Sequence, residues 1–254
     1  MQKTATTSVR SQFQPATGAV AYVQPDVCEG NKVTLDAKGN GYEIGSLLTL
    51  PGLEYLTLKT DAALSKEDYG EALFAIVRDG IVGLQHVLDD GRRSISHLFL
   101  PGDIIDFRYG KKVPGKAVCL FPSELALVNA EALTSLENDE TRVDDMLGSS
   151  LLKHWELATR HCSDLARKSA IEKLASYIFE FRTRYPLKNG SKNKGAVHLA
   201  LRRVDISDYL GLRPETLCRA FAKLKQGNII EFNDVGYVKI LDEIALRKIA
   251  DGRL

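Results

Sequence analysis

Residues 203–230, RVDISDYLGLRPETLCRAFAKLKQGNII, decide the reading of this chain. Ile206, Tyr209 and Leu210 recur at helical spacing. Gly211 follows where the helix must stop, because glycine most easily takes the left-handed conformation of a helix end. Pro214 then stands at the first position of a second helix, where its missing N–H costs nothing. In that second helix Leu217, Phe221 and Leu224 fall at i, i+4 and i+7 and predict one buried stripe. Glu215, Cys218, Arg219 and Lys223 lie off the stripe and face outward. Two short helices around a tight turn make a helix-turn-helix, whose second helix can enter a DNA major groove. Short apolar runs at 229–232 and 237–241 flank Asn233-Asp234-Val235-Gly236 and predict a β-hairpin, the wing of a winged helix-turn-helix.

Charge agrees with that reading. The whole chain has a formal charge of +1, yet residues 167–254 carry 18 Lys/Arg against 10 Asp/Glu, a net of +8, and residues 1–166 carry 16 against 23, a net of −7. A basic C-terminal third suits docking on phosphates. The length of 254 residues suits two domains. A hydrophobic fraction of 44% and a charged fraction of 26% are those of a soluble globular protein. No apolar run is long enough to span a bilayer, and the N-terminal MQKTATTSVRSQFQPATG lacks the apolar core of a signal peptide. Four scattered cysteines suit a reducing cytoplasm, so a cytoplasmic protein without a membrane partner is expected.

Upstream the texture changes. Residues 1–30 are polar and predict a flexible arm. From about Gly41 to Ala132, short β-type runs are broken by Arg78-Asp79-Gly80, Asp90-Gly91 and Pro101-Gly102-Asp103. This predicts an α+β protein whose N-terminal domain, residues 31–133, is an antiparallel β-roll of jelly-roll type. A long helix follows over 134–166, capped by Asn138 or Asp139. Leu147, Leu151, His154, Ala158, Cys162 and Leu165, with Trp155 beside them, form a seam at three- and four-residue steps. The seam serves either a homodimer interface or packing against the chain's own β domain. A winged helix-turn-helix over 167–254 completes the order.

This order resembles the Crp/Fnr family of bacterial transcription regulators from about Gly41 to Ala250. The resemblance rests on LFAIVRDGIVGLQHVLDDGRRSISHLFLPGDIIDF in the roll, on KSAIEKLA at 168–175, and on ISDYLGLRPETLCRAF in the helix-turn-helix. The E-T-x-x-R core is Glu215, Thr216 and Arg219. Pro214 stands where the cyclic-AMP receptor branch has Arg, which tilts the resemblance toward the FNR/FixK branch. Arg202 stands where a Ser or Thr helix cap is expected. The resemblance implies a homodimeric DNA-binding regulator, expected to be an activator that contacts RNA polymerase. It implies a palindrome of TTGA-type half-sites, read by Glu215, Cys218 and Arg219, with Arg213, Thr216 and Lys223 on the DNA backbone. Arginine to guanine and carboxylate to cytosine N4 are pairings that groove chemistry favours.

The sensing side is less specific. Cyclic-nucleotide members of the family hold the phosphate with a Gly-Glu-Leu turn and an Arg-Ser/Thr-Ala segment. Here the stretch reads Asp106-Phe107 and then Gly115-Lys116-Ala117-Val118, so no cyclic nucleotide is expected. Only Cys28 lies near the N-terminus, so an iron–sulfur cluster of the FNR kind is not expected either. Haem stays open through His86, His97, His154 and His161. Cys218 is either a redox-sensitive thiol, as in some FixK-type regulators, or a small residue that fits the groove beside a thymine methyl. Cys119 and Cys162 read as buried small hydrophobes. A cupin-type metal enzyme would share the roll but needs clustered histidines, and His86 and His97 stand eleven apart. No metal site or catalytic constellation is visible, so a non-enzyme is expected. An adaptor that had lost DNA recognition would not be expected to keep Glu215 and Arg219.

Overall fold

The computed structural model describes residues 47–48, 50–108, 115–134, 140–186, 196–234 and 236–253. The expected arm at 1–30, with Cys28, and the expected cap at Asn138 or Asp139 lie outside the described residues. Five strands form the first sheet: β1 (Glu54–Leu58), β2 (Phe74–Val87), β3 (Arg93–Phe99), β4 (Ile104–Asp106) and β5 (Lys116–Val128), with the short helix α1 (Lys66–Tyr69) after β1. The sheet is antiparallel, in the order β1-β5-β2-β3, with β4 also paired to β2.

Of the breaks read in the sequence, Asp90-Gly91 and Pro101-Gly102-Asp103 do lie between strands, but Arg78-Asp79-Gly80 is a bend rather than a strand end. β2 runs unbroken through Arg78-Asp79-Gly80, and β5 runs through Pro122. Gly80 has φ 88°, and a Cβ there would stand 2.3 Å from the Pro122 carbonyl oxygen, so only glycine fits. β2 changes partners about this bend: residues 74–76 pair with β4, and residues 82–87 pair with β3. β5 follows both halves, which curls the sheet into a roll. Alternating side chains of β2 are buried on both faces. Phe74 and Ile76 join Ala126, Val128 and Ala132, whereas Ala75 and Val77 join Leu58, Cys119 and Leu125.

Helix α2 (Ala130–Thr134) leads to the long helix α3 (Glu140–Arg167). The first turns of α3 bury Val143, Met146, Leu147 and Ser150, and the first three of these pack against Phe74 and Ile76 of the roll. Farther along, His154 stacks beside His97 and Phe99, with ring centroids 4.8 and 5.3 Å away. Leu165 reaches the helix-turn-helix near Gly211. The expected seam is therefore corrected at Leu147, His154 and Leu165, which face their own chain. Cys162, expected to be buried, is exposed, while Cys119 is buried. The open apolar face carries Leu151 and Leu152, each 70% exposed, and Trp155, 72% exposed. Gly148, Leu152, Trp155, Thr159, Cys162 and Ala166 alternate by four and three residues along this side. Of the expected seam, Leu151 and Cys162 lie on this open side of the helix. Periodicity marks an apolar line but not the body that covers it.

Downstream lie α4 (Ala170–Arg184), β6 (Ala196–His198), α5 (Arg203–Leu210), α6 (Pro214–Gln226), β7 (Ile230–Asp234), β8 (Tyr237–Ile240) and α7 (Glu243–Ala250). A capping box opens α4, where the Ser169 N–H donates to the Glu172 carboxylate at 2.8 Å. β7 and β8 pair as the expected hairpin, and β6 adds a third strand on β8. One apolar cluster runs from Ile81, Ile95, Leu98, Leu100 and Leu120 of the roll into Leu174, Tyr177, Phe181 and the helix-turn-helix.

At this junction sits the carboxylate of Asp103, 1% exposed. It accepts the Leu100 N–H at 2.8 Å, Lys153 Nζ of α3 at 2.8 Å and the Arg184 guanidinium of α4 at 2.6 Å. Burial alone would raise its pKa. The His154 ring beside it, with Arg184 and Lys153, overcomes that and holds the carboxyl well below the usual carboxylate range. Burial and the neighbouring His154 push the His97 imidazole down to about 3, and burial also lowers His161 and His198. Between the unfolded value near 6.5 and the folded value, the unfolded chain holds more protons, so stability falls as pH falls. His97 alone contributes a slope of up to about 1.4 kcal/mol per pH unit. The midpoint of thermal unfolding should drop from pH 7 to pH 5, and His97→Gln should flatten that drop. An equal pH dependence in wild type and variant would remove His97 as its cause.

Candidate nucleic-acid interface

Helix α5 buries Ile206, Tyr209 and Leu210 and ends at Gly211, with φ 61° and ψ 38°. The N–H groups of Gly211 and Leu212 both return to the Ser207 carbonyl, which closes the turn. Pro214 opens α6, whose Leu217, Ala220, Phe221 and Leu224 are buried against the α5 stripe. The second helix thus has a fixed rotation relative to the first. The Arg203 guanidinium lies 3.7 Å from the Phe221 ring centroid and 5.3 Å from that of Phe232, which ties the start of the motif to the recognition helix and the wing.

The opposite side of α6 is open. Glu215, Cys218, Arg219 and Lys223 are exposed, as is Arg213 before the helix, while Thr216 is half-buried. Glu215, Arg219 and Lys223 follow one another at four-residue steps and share a face. Among the described residues, their side chains make no ion pair or hydrogen bond with the rest of the chain. The face therefore presents an acceptor and, one turn on, a planar cation. These are the donor and acceptor types that cytosine N4 and guanine O6/N7 require. The expected reading residues come together on this face, with the Cys218 thiol at its centre.

The four histidines have neighbours in the roll and the helices: His86 Nε2 is 2.8 Å from Ser96 Oγ, the His97 and His154 ring centroids are 4.8 Å apart, and His161 stacks on Tyr209 with centroids 4.0 Å apart. Among the described residues no group of three His, Cys, Asp or Glu side chains is placed to hold a metal ion, and no helix is long and apolar enough to cross a membrane. In the roll, Asp106 is ion-paired with Arg108 at 2.8 Å.

Arg93, Asp61, Asp205 and Asp208 were not singled out in the sequence, and they meet Arg202 here. Asp205 is buried with 0% exposure on α5. It accepts Arg93 of β3 at 2.5 Å and Arg202 at 2.7 Å. Arg93 also donates to Asp208 at 2.6 Å. Arg202 reaches back to the roll and holds both carboxylate oxygens of Asp61, at 2.7 and 2.8 Å. This explains the departure at the cap position: Arg202 makes no side-chain cap and instead bridges α5 to the β domain. Partners more than a hundred residues away carry no local signal.

The model of the Crp-like helix-turn-helix domain matches residues 172–249. AadR, a transcriptional activatory protein of Rhodopseudomonas palustris, is 30% identical over 196 residues, which cover 72% of this chain and 74% of AadR. The nitrogen fixation regulation protein FixK of Azorhizobium caulinodans is 28% identical over 174 residues, 68% of this chain and 70% of that protein. Among solved structures, FixK2 from Bradyrhizobium japonicum superposes with a TM-score of 0.63 at 26% identity, over 78% of this chain and 96% of that one. Roll, long helix and winged motif follow one another here as that likeness requires, and the chain belongs to the Crp/Fnr family of DNA-binding transcription regulators, with FixK-like relatives.

Proposed function

We propose that this regulator is a cytoplasmic homodimer that reads a palindrome of TTGA-type half-sites and activates transcription by contacting RNA polymerase. The observation that carries the reading is the pair Glu215 and Arg219, one turn apart on an open helix face and without an ion pair or hydrogen bond among the described residues. Arg219 pairs with guanine, Glu215 accepts from cytosine, and Arg213, Thr216 and Lys223 lie on the flanking phosphates. Activation is favoured by relatives whose own names describe activators. The exposed line of Leu152, Trp155, Cys162 and Ala166 supports a two-fold pairing of α3 helices, which would set two recognition helices one turn of DNA apart. We read the roll as not built for a cyclic nucleotide, because Arg108 occupies the Asp106 carboxylate and Lys116 offers a point charge rather than a fork.

Binding to a TTGA palindrome, followed by fluorescence anisotropy, tests the reading. Arg219→Ala and Glu215→Ala should each cost about 1–3 kcal/mol, roughly 5- to 150-fold, and relax the preference at one base. Lys223→Ala should weaken binding to all sequences alike and reduce the salt slope by about one. Equal losses on specific and random duplexes for the first two variants would remove them from base reading. Trp155→Glu places a charge on the open face of α3 and should yield a monomer by sedimentation, with loss of palindrome binding and retention of the fold. A dimeric variant would move the interface elsewhere.

Cys218 is exposed on the reading face, beside Arg219. Oxidation would add bulk or negative charge against the phosphates. Diamide treatment should therefore abolish DNA binding by the wild type and leave Cys218→Ser unaffected. Binding indifferent to diamide would keep the regulator and discard the thiol switch.

A further inference from the structure

The roll grips the helix-turn-helix at a point the reading face does not touch. Arg93 opens β3, and its guanidinium spans two carboxylates one helical turn apart on α5: its Nη2 donates to Asp205 at 2.5 Å and its Nε to Asp208 at 2.6 Å. Asp205 is wholly buried, and the Arg93 side chain is 23% exposed, so the contact is shielded from water. Arg202 adds a second bridge, from Asp205 to Asp61 of the roll.

A separate attachment lies toward the other end of the same strand. Arg184 of α4 donates to the Leu98 carbonyl and to Asp103. Leu98 stands five residues beyond Arg93, which at about 3.3 Å per residue puts the two attachments roughly 17 Å apart along β3. One attachment alone leaves a body free to rotate about it; two at that separation fix an orientation. Because α5 and α6 share one buried stripe across the closed turn at Gly211, the orientation of α5 is also that of the recognition helix.

We infer that Arg93 is a positioning residue for DNA recognition: by holding Asp205 and Asp208 it sets the angle of the recognition helix against the roll and so decides which half-site spacing the regulator accepts. The inference rests on the dimeric DNA-binding reading above. Its chemistry is particular to arginine, since a planar fork can donate to two carboxylates at once and a lysine ammonium holds the same site less rigidly. The link to spacing is geometric. Each base pair added between half-sites moves the second by about 3.4 Å and turns it by about 35°. A reading head fixed to the roll cannot follow that displacement, whereas one released at Arg93 can.

The experiment measures affinity for TTGA palindromes whose half-sites lie one turn apart, about 10 base pairs centre to centre, and for the same half-sites spread by one and by two further base pairs. It compares wild type, Arg93→Ala, Arg93→Lys and Asp208→Asn, with a single half-site duplex as control. In the wild type the one-turn spacing should be strongly preferred. Arg93→Ala should reduce that preference by about tenfold, the size of one charge-assisted contact, while single half-site affinity stays within twofold. Asp208→Asn, at the more exposed end of the grip, should shift the preference in the same direction, and Arg93→Lys should fall between wild type and alanine. Unchanged spacing preference in both Arg93→Ala and Asp208→Asn would overturn the inference, as would a loss of equal size on every duplex including the half-site. Failure of the wild type to bind any of the duplexes would instead overturn the DNA-binding reading on which the inference stands.

Discussion

Two carboxylates, Asp103 and Asp205, are almost or wholly removed from water, and the arrangement of the domains depends on how they are compensated. A buried carboxylate without partners would take up a proton or unfold its surroundings. Each is met by cations from separate parts of the chain. Asp103, in the roll, binds Lys153 of the long helix and Arg184 of the DNA-binding domain. Asp205, in the DNA-binding domain, binds Arg93 of the roll and the adjacent Arg202. Removing one partner from such a site leaves a buried charge uncompensated, at about 3–5 kcal/mol, a large part of an ordinary domain's stability. The apolar cluster that crosses the same junction supplies burial, and the ion pairs supply direction. Apolar contact tolerates sliding and rotation, whereas a guanidinium fork tolerates little of either.

That division of labour bears on how the roll and the DNA-binding domain are held in one orientation. The reading face of α6 is open in this arrangement, and the grip on α5 lies on another side of the motif. Domain orientation therefore arises from charges within the chain. The Arg108 pairing of Asp106 in the roll fits the same pattern, since a carboxylate with an internal partner is less available to a ligand.

Much of the candidate site was legible in the residues. Gly211, Pro214 and the stripe Leu217, Phe221 and Leu224 act over a few positions each, and local geometry fixes their consequences. The roll was legible in outline only. Arg78-Asp79-Gly80 reads as a strand end because turn residues usually end strands, yet here a glycine bend continues the strand against Pro122. The long helix was legible as a helix, but the sequence does not say that Leu147, His154 and Leu165 turn toward their own chain while Leu151 and Cys162 stay open. Apolar lines run along two sides of it, one covered by the roll through Leu147 and His154, the other open through Leu152 and Trp155.

The sequence by itself determined the elements whose causes lie within one or two helical turns. These are the helix-turn-helix, the outward set Glu215, Cys218 and Arg219, the wing, and the basic character of the C-terminal third. Tertiary structure alone decided which side of α3 remains open, and it alone brought Arg93 to Asp205, Arg184 to Asp103 and Arg202 to Asp61. Those partners stand 112, 81 and 141 residues apart in the chain. Helical and strand periods are short-range properties of the backbone and can be read from neighbours. A charge finds its partner only after the chain has folded, and nothing in the local pattern around an arginine says which distant carboxylate will need it.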